Sequence, residues 1–383
     1  HRFLVADEVG LGKTMVARGV IAQAIAHLQH HTDRVDIVYI CSNAAIARQN
    51  INRLNVTGSS EIAMATRPTM LLTHLAGAHS PRRNRINFVS FTPGTMDTRS
   101  QTGIKAERAL LYRVLRDMVA PVEGLYAVLQ VHVRDEAWAR EVEWAESEAE
   151  IDANITQQFR AAVGARPSLV DRLQTCARAC AQDPLGTPDT WGAERNAVIG
   201  ELRHVLAETC IAELDPDLVI LDEFQRFRHV MDGTTTVGEL AHHLFRYTDQ
   251  LGNRARTLLL SATPYLMPLV RDEDGVDHYG DFLNTLRFLF NDAACVETLK
   301  AELEAYRDAL YAAAAGEAAD LPAARAAVEQ RLRRVMVRTE RVDSTAEMDA
   351  MIREHRPELA LETPDVAYGV ALERLARASD AGG

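Results

Sequence analysis

Two hydrophobic patterns alternate over roughly the first hundred residues of the chain. Mostly apolar runs near residues 3–6, 37–41 and 86–91 are typical of strands that are buried on both faces. Between them, apolar residues recur every three or four positions, as in the segment 14–29, which indicates an amphipathic helix. Strands that alternate with helices favour a parallel sheet. We therefore predict an α/β fold that begins with residues 1–104.

Helical periodicity dominates the next segment, residues 105–214. We predict that it is a helical insertion that splits the α/β domain. The strand pattern resumes within residues 215–278, where apolar runs precede Asp222 and Ser261. Residues 279–383 again show helical periodicity, and we predict a helical extension there.

A glycine-rich run, ADEVGLGKT, occupies residues 6–14 between the first predicted strand and the first predicted helix. Its end matches the phosphate-binding loop G-x-x-x-x-G-K-[ST], but Asp7 stands where that pattern has its first glycine. A glycine-rich turn with a chance lysine is the alternative. The order of strand, loop and helix favours binding of a nucleoside triphosphate, because such a loop presents backbone amides to phosphate.

The end of this loop offers the groups that a magnesium nucleotide needs. The Lys13 ammonium would contact the β- and γ-phosphates, and the Thr14 hydroxyl would bind Mg²⁺. Glycine leaves room for close approach of the backbone to phosphate oxygens. The loop residues predicted to contact the nucleotide are Gly10, Leu11, Gly12, Lys13 and Thr14.

An acidic motif, Asp222-Glu223-Phe224-Gln225, follows the apolar run 218–221. A carboxylate at the end of an inner parallel strand can hold Mg²⁺, which is the role predicted for Asp222. Glu223 is suited to polarise the attacking water as a general base. A helix-capping Asp-Glu pair is the alternative, and the presence of the phosphate-binding loop in the same chain favours the nucleotide site.

A third apolar run, residues 257–260, leads into Ser261-Ala262-Thr263-Pro264. The hydroxyl groups of Ser261 and Thr263 can hydrogen-bond an acidic motif on a neighbouring strand. Hydrogen bonds of this kind would couple the state of the bound nucleotide to other parts of the protein.

These three motifs, in this order, resemble motifs I, II and III of superfamily 2 helicases and translocases. The loop is similar to that of the Swi/Snf-type branch, particularly its bacterial members, in which the first glycine is commonly absent. The resemblance implies a RecA-like lobe that binds ATP and Mg²⁺ and hydrolyses ATP while it acts on nucleic acid. Duplex DNA is the nucleic acid expected from the resemblance alone.

The resemblance also implies a role for each matching residue. The acidic motif departs from the usual Asp-Glu-Ala-His of the branch, but the Gln225 amide can still bridge the nucleotide and the third motif. The implied residues are Glu223, Lys13 and Gln225 for catalysis, Thr14 and Asp222 for Mg²⁺, and Ser261 and Thr263 for coupling.

Two segments are candidates for contact with a nucleic-acid backbone. The segment 37–43 resembles motif Ia of the family, so Ser42 and Asn43 are expected contacts. An arginine cluster just before the run 86–91 is the second candidate, with a solvated loop as its alternative. The members of this cluster are Arg82, Arg83 and Arg85.

The arginine-rich run 332–340 has two interpretations that stay open. It resembles a stretch that Swi/Snf-type proteins carry near the hinge to their second motor lobe, and it also fits a basic helix face. No second-lobe motif follows Glu340, and the chain begins just before a core strand, so we expect a piece of a longer protein. In the family the second lobe supplies an arginine worth about 10³–10⁵ in rate, so we expect weak hydrolysis by this chain alone.

Composition bears on the partners and the cellular location of the protein, and not on the reaction that it catalyses. The net charge of −12 argues mildly against a nucleic-acid partner, although a motor needs only a local basic track. No apolar run approaches the roughly 20 residues of a membrane span, and we predict a cytoplasmic protein without a membrane partner. Five scattered cysteines argue against a disulfide framework. Cys176 and Cys180 fit half of a metal site or, more simply, a buried helix face.

Three functions remain in view. The favoured one is an ATP-driven translocase or helicase-like protein that acts on nucleic acid. The second is a nucleotide-gated scaffold that recruits a protein partner through the helical insertion, whose acidic stretch at 141–152 and tryptophans suit such a partner. The third is another P-loop enzyme, such as a kinase or an AAA-type ATPase, against which the Ser-Ala-Thr motif counts.

Overall fold

A computed structural model of the chain describes most residues before 340. The contacts divide the chain into two units, His1–Glu340 and Arg341–Gly383, and in the second unit only Ala371 is described. All further statements concern the first unit. The described residues are 2–8, 10–56, 67–76, 85–99, 102–182, 188–224, 235–248, 252–261, 278–316, 318, 320–339 and 371.

A parallel sheet of six strands runs through the described part of the chain, which confirms the predicted α/β class. The spatial order of the strands is β3-β2-β4-β5-β1-β6, and every neighbouring pair is parallel. The strands are β1 (Arg2–Val5), β2 (Val35–Ile40), β3 (Ile86–Phe91), β4 (Leu218–Asp222), β5 (Arg256–Leu260) and β6 (Met336–Val337).

Helices fill most of the connections between these strands. A 3₁₀ turn at Pro68–Met70 directly precedes α3, and a π-helical turn at Trp144–Glu148 directly follows α7. The helices are α1 (Lys13–Leu28), α2 (Ala44–Leu54), α3 (Leu71–His74), α4 (Pro93–Met96), α5 (Lys105–Leu115), α6 (Val122–Gln130), α7 (Asp135–Glu143), α8 (Ala153–Gly164), α9 (Pro167–Gln182), α10 (Pro188–Ala212), α11 (Thr236–Arg246), α12 (His278–Phe290), α13 (Ala293–Ala314) and α14 (Leu321–Leu332).

The sheet separates two hydrophobic cores. On one face, apolar residues of α1 and α2, such as Ile21 and Ile51, pack against Ile37 and Ile220 of the sheet. On the other face, sheet residues such as Val38 belong to a larger core that also contains residues from α5 to α12. The segment predicted as an insertion, 105–214, therefore shares its core with the sheet.

The tryptophans of this helical segment lie largely inside the protein. The Trp138 side chain is fully buried, and Trp144 is partly buried against the same core. Trp191 lies outside the residues whose side chains the structure describes. The expected partner surface therefore gains no support from Trp138, because a buried ring cannot contact a partner. Cys176 is buried and Cys180 packs against the same core, as the simpler interpretation of this pair predicts.

A buried ion pair ties the longest helix to the rest of the helical segment. The Arg203 guanidinium on α10 lies 3.3 Å from Glu107 on α5, and both side chains are almost completely buried. The same carboxylate accepts a 2.5 Å hydrogen bond from the Thr69 hydroxyl and a 2.8 Å bond from the Ile104 amide. Because a buried charge is costly without partners, these bonds fix how α5 and α10 meet.

The C-terminal part of the first unit differs from the predicted helical extension in one respect. Helices α12 to α14 are present, but Met336 and Val337 form β6, an edge strand beside β1. The arginine-rich run 332–340 is thus the end of α14, a turn and a strand in its described part, and not a helix face. The short apolar stretch 335–337 pairs through its backbone with β1, which helical periodicity did not reveal.

None of the helices in the described ranges is both long enough and apolar enough to cross a bilayer.

The contact between α6 and α9 gives the first testable prediction. A Cβ atom at Gly124 would lie 1.9 Å from the Ala177 carbonyl oxygen, which is too close for any side chain. We expect Gly124→Ala to lower the free energy of unfolding by about 1–3 kcal/mol or more, because the two helix backbones must separate. Urea denaturation monitored by circular dichroism measures the change.

The matched control is Gly19→Ala on α1. Gly19 is exposed within a helix, and a Cβ there meets no atom within 4 Å. Alanine should raise stability at this position by about 0.5–1 kcal/mol, because glycine is a poor helix former. Equal effects of the two substitutions would contradict the close approach of α6 and α9.

Candidate nucleotide-binding site

The carboxyl ends of three neighbouring strands meet at one edge of the sheet. Strand β5 lies between β4 and β1, so that Leu260 pairs with Asp222 on one side and with Val5 on the other. The Ser261 amide continues this ladder and donates to the Val5 carbonyl at 3.0 Å. The phosphate-loop motif, the acidic motif and Ser261, which are far apart in sequence, are therefore neighbours in space.

Two glycines shape the loop between β1 and α1. Gly10 and Gly12 have φ angles of 85° and 82°, which non-glycine residues rarely adopt. Helix α1 begins directly after Gly12, with no side-chain cap and no acidic residue in its first turn. The first amides of α1 and the positive end of its dipole therefore face the loop without a capping side chain or an acidic residue in the first turn, an arrangement that suits a bound phosphate.

The Lys13 side chain folds back over this loop. Its Nζ atom donates to the carbonyl oxygens of Asp7 and Glu8 at 2.9 and 3.0 Å. Burial lowers the pKa of Lys13, whereas the nearby carboxylates of Asp7, Asp222 and Glu223 act to raise it. The ammonium group thus lies between the loop and the acidic pair, where it could form an ion pair with a bound phosphate.

Asp7 has a structural role that explains its place in the loop. The main chain after β1 continues to pair with the end of β6 and the residues beyond it. The Ala6 amide donates to the Val337 carbonyl at 2.8 Å, and the Glu8 amide donates to the Thr339 carbonyl at 3.2 Å. Asp7 is 5% exposed, and its Oδ1 accepts a 2.8 Å hydrogen bond from the Thr339 amide. A carboxylate at this position therefore extends the β1–β6 ladder, which glycine could not do.

Asp222 is held by side chains on β2 and α2. Its Oδ2 accepts a 2.5 Å hydrogen bond from the Tyr39 hydroxyl and lies 3.4 Å from Asn50 Nδ2, while its Oδ1 accepts the Glu223 amide at 2.9 Å. Burial raises the pKa of Asp222, and the bonds from Tyr39 and Glu223 partly offset that rise. The carboxylate consequently has a fixed orientation.

Glu223 combines an unusual backbone with a contact to the β2–α2 loop. Its φ angle is 53°, in the left-handed region that non-glycine residues seldom occupy, and such strain concentrates at functional sites. Its Oε2 accepts a hydrogen bond from the Ser42 hydroxyl at 3.3 Å. Ser42, expected at a nucleic-acid backbone, thus also touches the predicted general base.

The predicted residues divide into three groups. The loop residues Gly10 to Thr14, the acidic pair and Ser261 lie at the same edge of the sheet, with Ser42 beside Glu223 and Asn43 next to Ser42 in the β2–α2 loop. Arg85 lies just before β3, at the opposite edge, where it donates to the Gln29 carbonyl at 2.9 Å. Strand β2 separates the two edges by roughly 20 Å, so the structure does not bring Arg85 and Ser42 together. The remaining predicted residues, Gln225, Thr263, Arg82 and Arg83, lie outside the described residues.

The residues present fit a magnesium nucleotide by the chemistry of their donors. Mg²⁺ prefers oxygen ligands, and it is usually bound by one or two protein groups together with phosphate oxygens and water. The Thr14 hydroxyl and the Asp222 carboxylate supply such oxygens, and Lys13 supplies charge for the phosphates. Within the described ranges, no cluster of three or more His, Cys, Asp or Glu side chains suggests a different metal site.

Comparison of the chain with family models, with curated proteins and with solved structures gives no match.

Three residues of the site escaped the sequence-based prediction of roles. No sequence pattern linked Tyr39 or Asn50 to Asp222, and Asp7 stood out only because it replaces the first glycine of the loop, as is common in the Swi/Snf-type branch. A polar side chain within an apolar strand is a usable signal, and Tyr39 is one. The link between Asn50 and Asp222 has no local signal, because 172 residues separate them.

The bond between Asp7 and Thr339 gives the second testable prediction. Asp7→Ala removes the acceptor of the Thr339 amide and should speed hydrogen exchange of that amide about tenfold or more, because a hydrogen bond to a charged group is worth about 1.5–3 kcal/mol. Asp7→Asn is the matched control, since its amide oxygen can still accept the bond. Equal exchange rates in the wild type and Asp7→Ala would show that the side chain does not hold β6.

Proposed function

We propose that this chain is the ATP-binding and ATP-hydrolysing lobe of a nucleic-acid translocase or helicase-like protein. The observation that carries the proposal is the convergence of the phosphate-loop motif, the acidic pair and Ser261 at one edge of a parallel sheet. The sheet is compatible with a RecA-like lobe. The resemblance of the three motifs to those of Swi/Snf-type proteins supports the finer assignment.

In this proposal each group at the sheet edge has one task. The amides of the loop and of the first turn of α1 bind the phosphate oxygens, and Lys13 neutralises the β- and γ-phosphates. Thr14 and Asp222 would hold Mg²⁺, which when bound supplies positive charge to the same oxygens. A nucleotide bound in this way would have its γ-phosphate at the edge of the sheet that also carries Glu223.

Glu223 acts on the attacking water. Its carboxylate accepts a proton as the water oxygen bonds to the γ-phosphorus, and the bond from that phosphorus to the β,γ-bridging oxygen breaks. The products are ADP and inorganic phosphate. In the family that the motifs resemble, an arginine from a second lobe adds charge stabilisation at the γ-phosphate.

Contact between the β2–α2 loop and Glu223 supports a link to nucleic acid. Ser42 and Asn43 occupy the segment that resembles motif Ia, and the Ser42 hydroxyl lies 3.3 Å from a Glu223 oxygen. A nucleic-acid backbone bound at this loop would therefore contact Ser42, which is hydrogen-bonded to the proposed general base.

The nucleic acid that we propose is duplex DNA. The alternative function is a nucleotide-gated scaffold that recruits a protein partner.

A third testable prediction concerns the general base. Glu223→Gln should keep the affinity for Mg-ATP within about threefold and lower the steady-state rate of phosphate release about 10²–10⁴-fold, because glutamine cannot accept the proton. Lys13→Ala should instead abolish binding of a fluorescent ATP analogue. Unchanged hydrolysis in Glu223→Gln would remove this residue from the mechanism.

A fourth prediction separates the translocase from the scaffold. Duplex DNA should stimulate phosphate release by the wild-type chain, and its affinity should fall steeply with salt, since phosphate contacts release counterions. Asn43→Ala should weaken the stimulation several-fold, whereas Arg85→Ala at the opposite edge should not. Binding of ATP with no effect of DNA on its hydrolysis would favour the scaffold.

A further inference from the structure

One residue of β2 and one residue of α2 contact Asp222, the proposed ligand of Mg²⁺. Asp222 lies at the end of β4. Tyr39 lies on the neighbouring strand β2, where it pairs in register with Ile220 of β4. The Tyr39 side chain is 1% exposed, so its hydroxyl meets Asp222 inside the protein. Its hydrogen bond to Asp222 Oδ2, at 2.5 Å, is among the shortest of the site.

Asn50 completes a three-residue network with these two groups. Its Nδ2 donates to the Tyr39 hydroxyl oxygen at 2.9 Å and lies 3.4 Å from Asp222 Oδ2. The phenol therefore accepts from Asn50 and donates to Asp222, which uses both of its hydrogen-bonding capacities. Such a chain of bonds in a site of low polarity is stronger and more rigid than isolated bonds in water.

The donors and acceptors of this chain fix its direction. The Asn50 amide nitrogen donates to the Tyr39 oxygen, and the Tyr39 hydroxyl donates to the Asp222 carboxylate, which accepts. Because Oδ1 accepts the Glu223 amide, the carboxylate plane is set by bonds on both oxygens.

Packing of α2 fixes the position of Asn50. Ala47, Ile51 and Leu54 on the same helix are buried in the core beneath the sheet, so α2 cannot slide without breaking that core. Helix α2 also begins directly after Ser42 and Asn43, the proposed nucleic-acid contacts. Asn50 is therefore held at a fixed position beside Asp222 and Tyr39.

We propose that Tyr39 and Asn50 are positioning residues that set the orientation of Asp222 for Mg²⁺. The inference rests on the proposed nucleotide site. Neither side chain is assigned to contact the metal or the nucleotide. They hold the Asp222 carboxylate in one orientation, and a preorganised ligand binds its metal more tightly than a mobile one.

The test measures binding of the fluorescent nucleotide mant-ADP to the full chain with and without Mg²⁺. Tyr39→Phe removes only the hydroxyl, and Asn50→Ala removes the second donor. In each variant we expect the Mg²⁺-free affinity to stay within about twofold of the wild type. The Mg²⁺ concentration that gives half of the affinity gain should rise about tenfold, within the 10–100-fold loss typical when a group that supports a metal ligand is removed.

Two control variants make the same chemical changes away from Asp222. Tyr126→Phe removes a hydroxyl from a partly buried tyrosine on α6, and Gln49→Ala removes an exposed side-chain amide next to Asn50 in the chain. Both should keep the wild-type Mg²⁺ midpoint. Circular dichroism melting identifies any variant that does not fold, and Asn50→Ala carries the test if Tyr39→Phe is such a variant.

The outcomes separate this inference from the proposed function. Absence of mant-ADP binding by the wild type overturns the nucleotide site itself. Binding that Mg²⁺ strengthens equally in the wild type, Tyr39→Phe and Asn50→Ala overturns the positioning role and leaves the nucleotide site standing. A raised Mg²⁺ midpoint in these two variants alone supports the inference.

Discussion

Parallel pairing of β5 with both β1 and β4 is the constraint on which the candidate site depends. In a parallel sheet all carboxyl ends lie at one edge, and the register of β5 aligns Val5, Leu260 and Asp222 there. Sequence positions more than two hundred residues apart thereby become neighbours. If β5 were shifted along β4, the acidic pair would no longer lie beside Ser261 and the phosphate loop, whatever the side chains were.

Buried polar bonds then refine what the sheet brings together. Asp222 has acceptor bonds on both carboxylate oxygens, and Asp7 uses its side chain to extend a main-chain ladder. Glu223 keeps a left-handed backbone beside these fixed groups. Strain of about 1–3 kcal/mol at such a residue persists only because its surroundings hold it in place.

The loop, the acidic pair and the α/β class could be predicted because each leaves a local signature. Gly12 needs a positive φ angle, an apolar strand pattern precedes Asp222, and strands alternate with helices. Strand β6 had no such signature, because two residues within an arginine-rich run do not establish a period. The distance between Arg85 and Ser42 was equally hidden, since it follows from which end of a strand each residue occupies.

The sequence by itself determined the chemistry that this protein can offer: a glycine-rich loop with a lysine, two adjacent carboxylates and a set of hydroxyl groups after strands. Only the tertiary structure decided which of these groups meet, that Tyr39 and Asn50 hold Asp222, and that Asp7 binds the segment after β6. The physical reason is that residue type and spacing specify local conformation, whereas strand order and register are set by packing over the whole core.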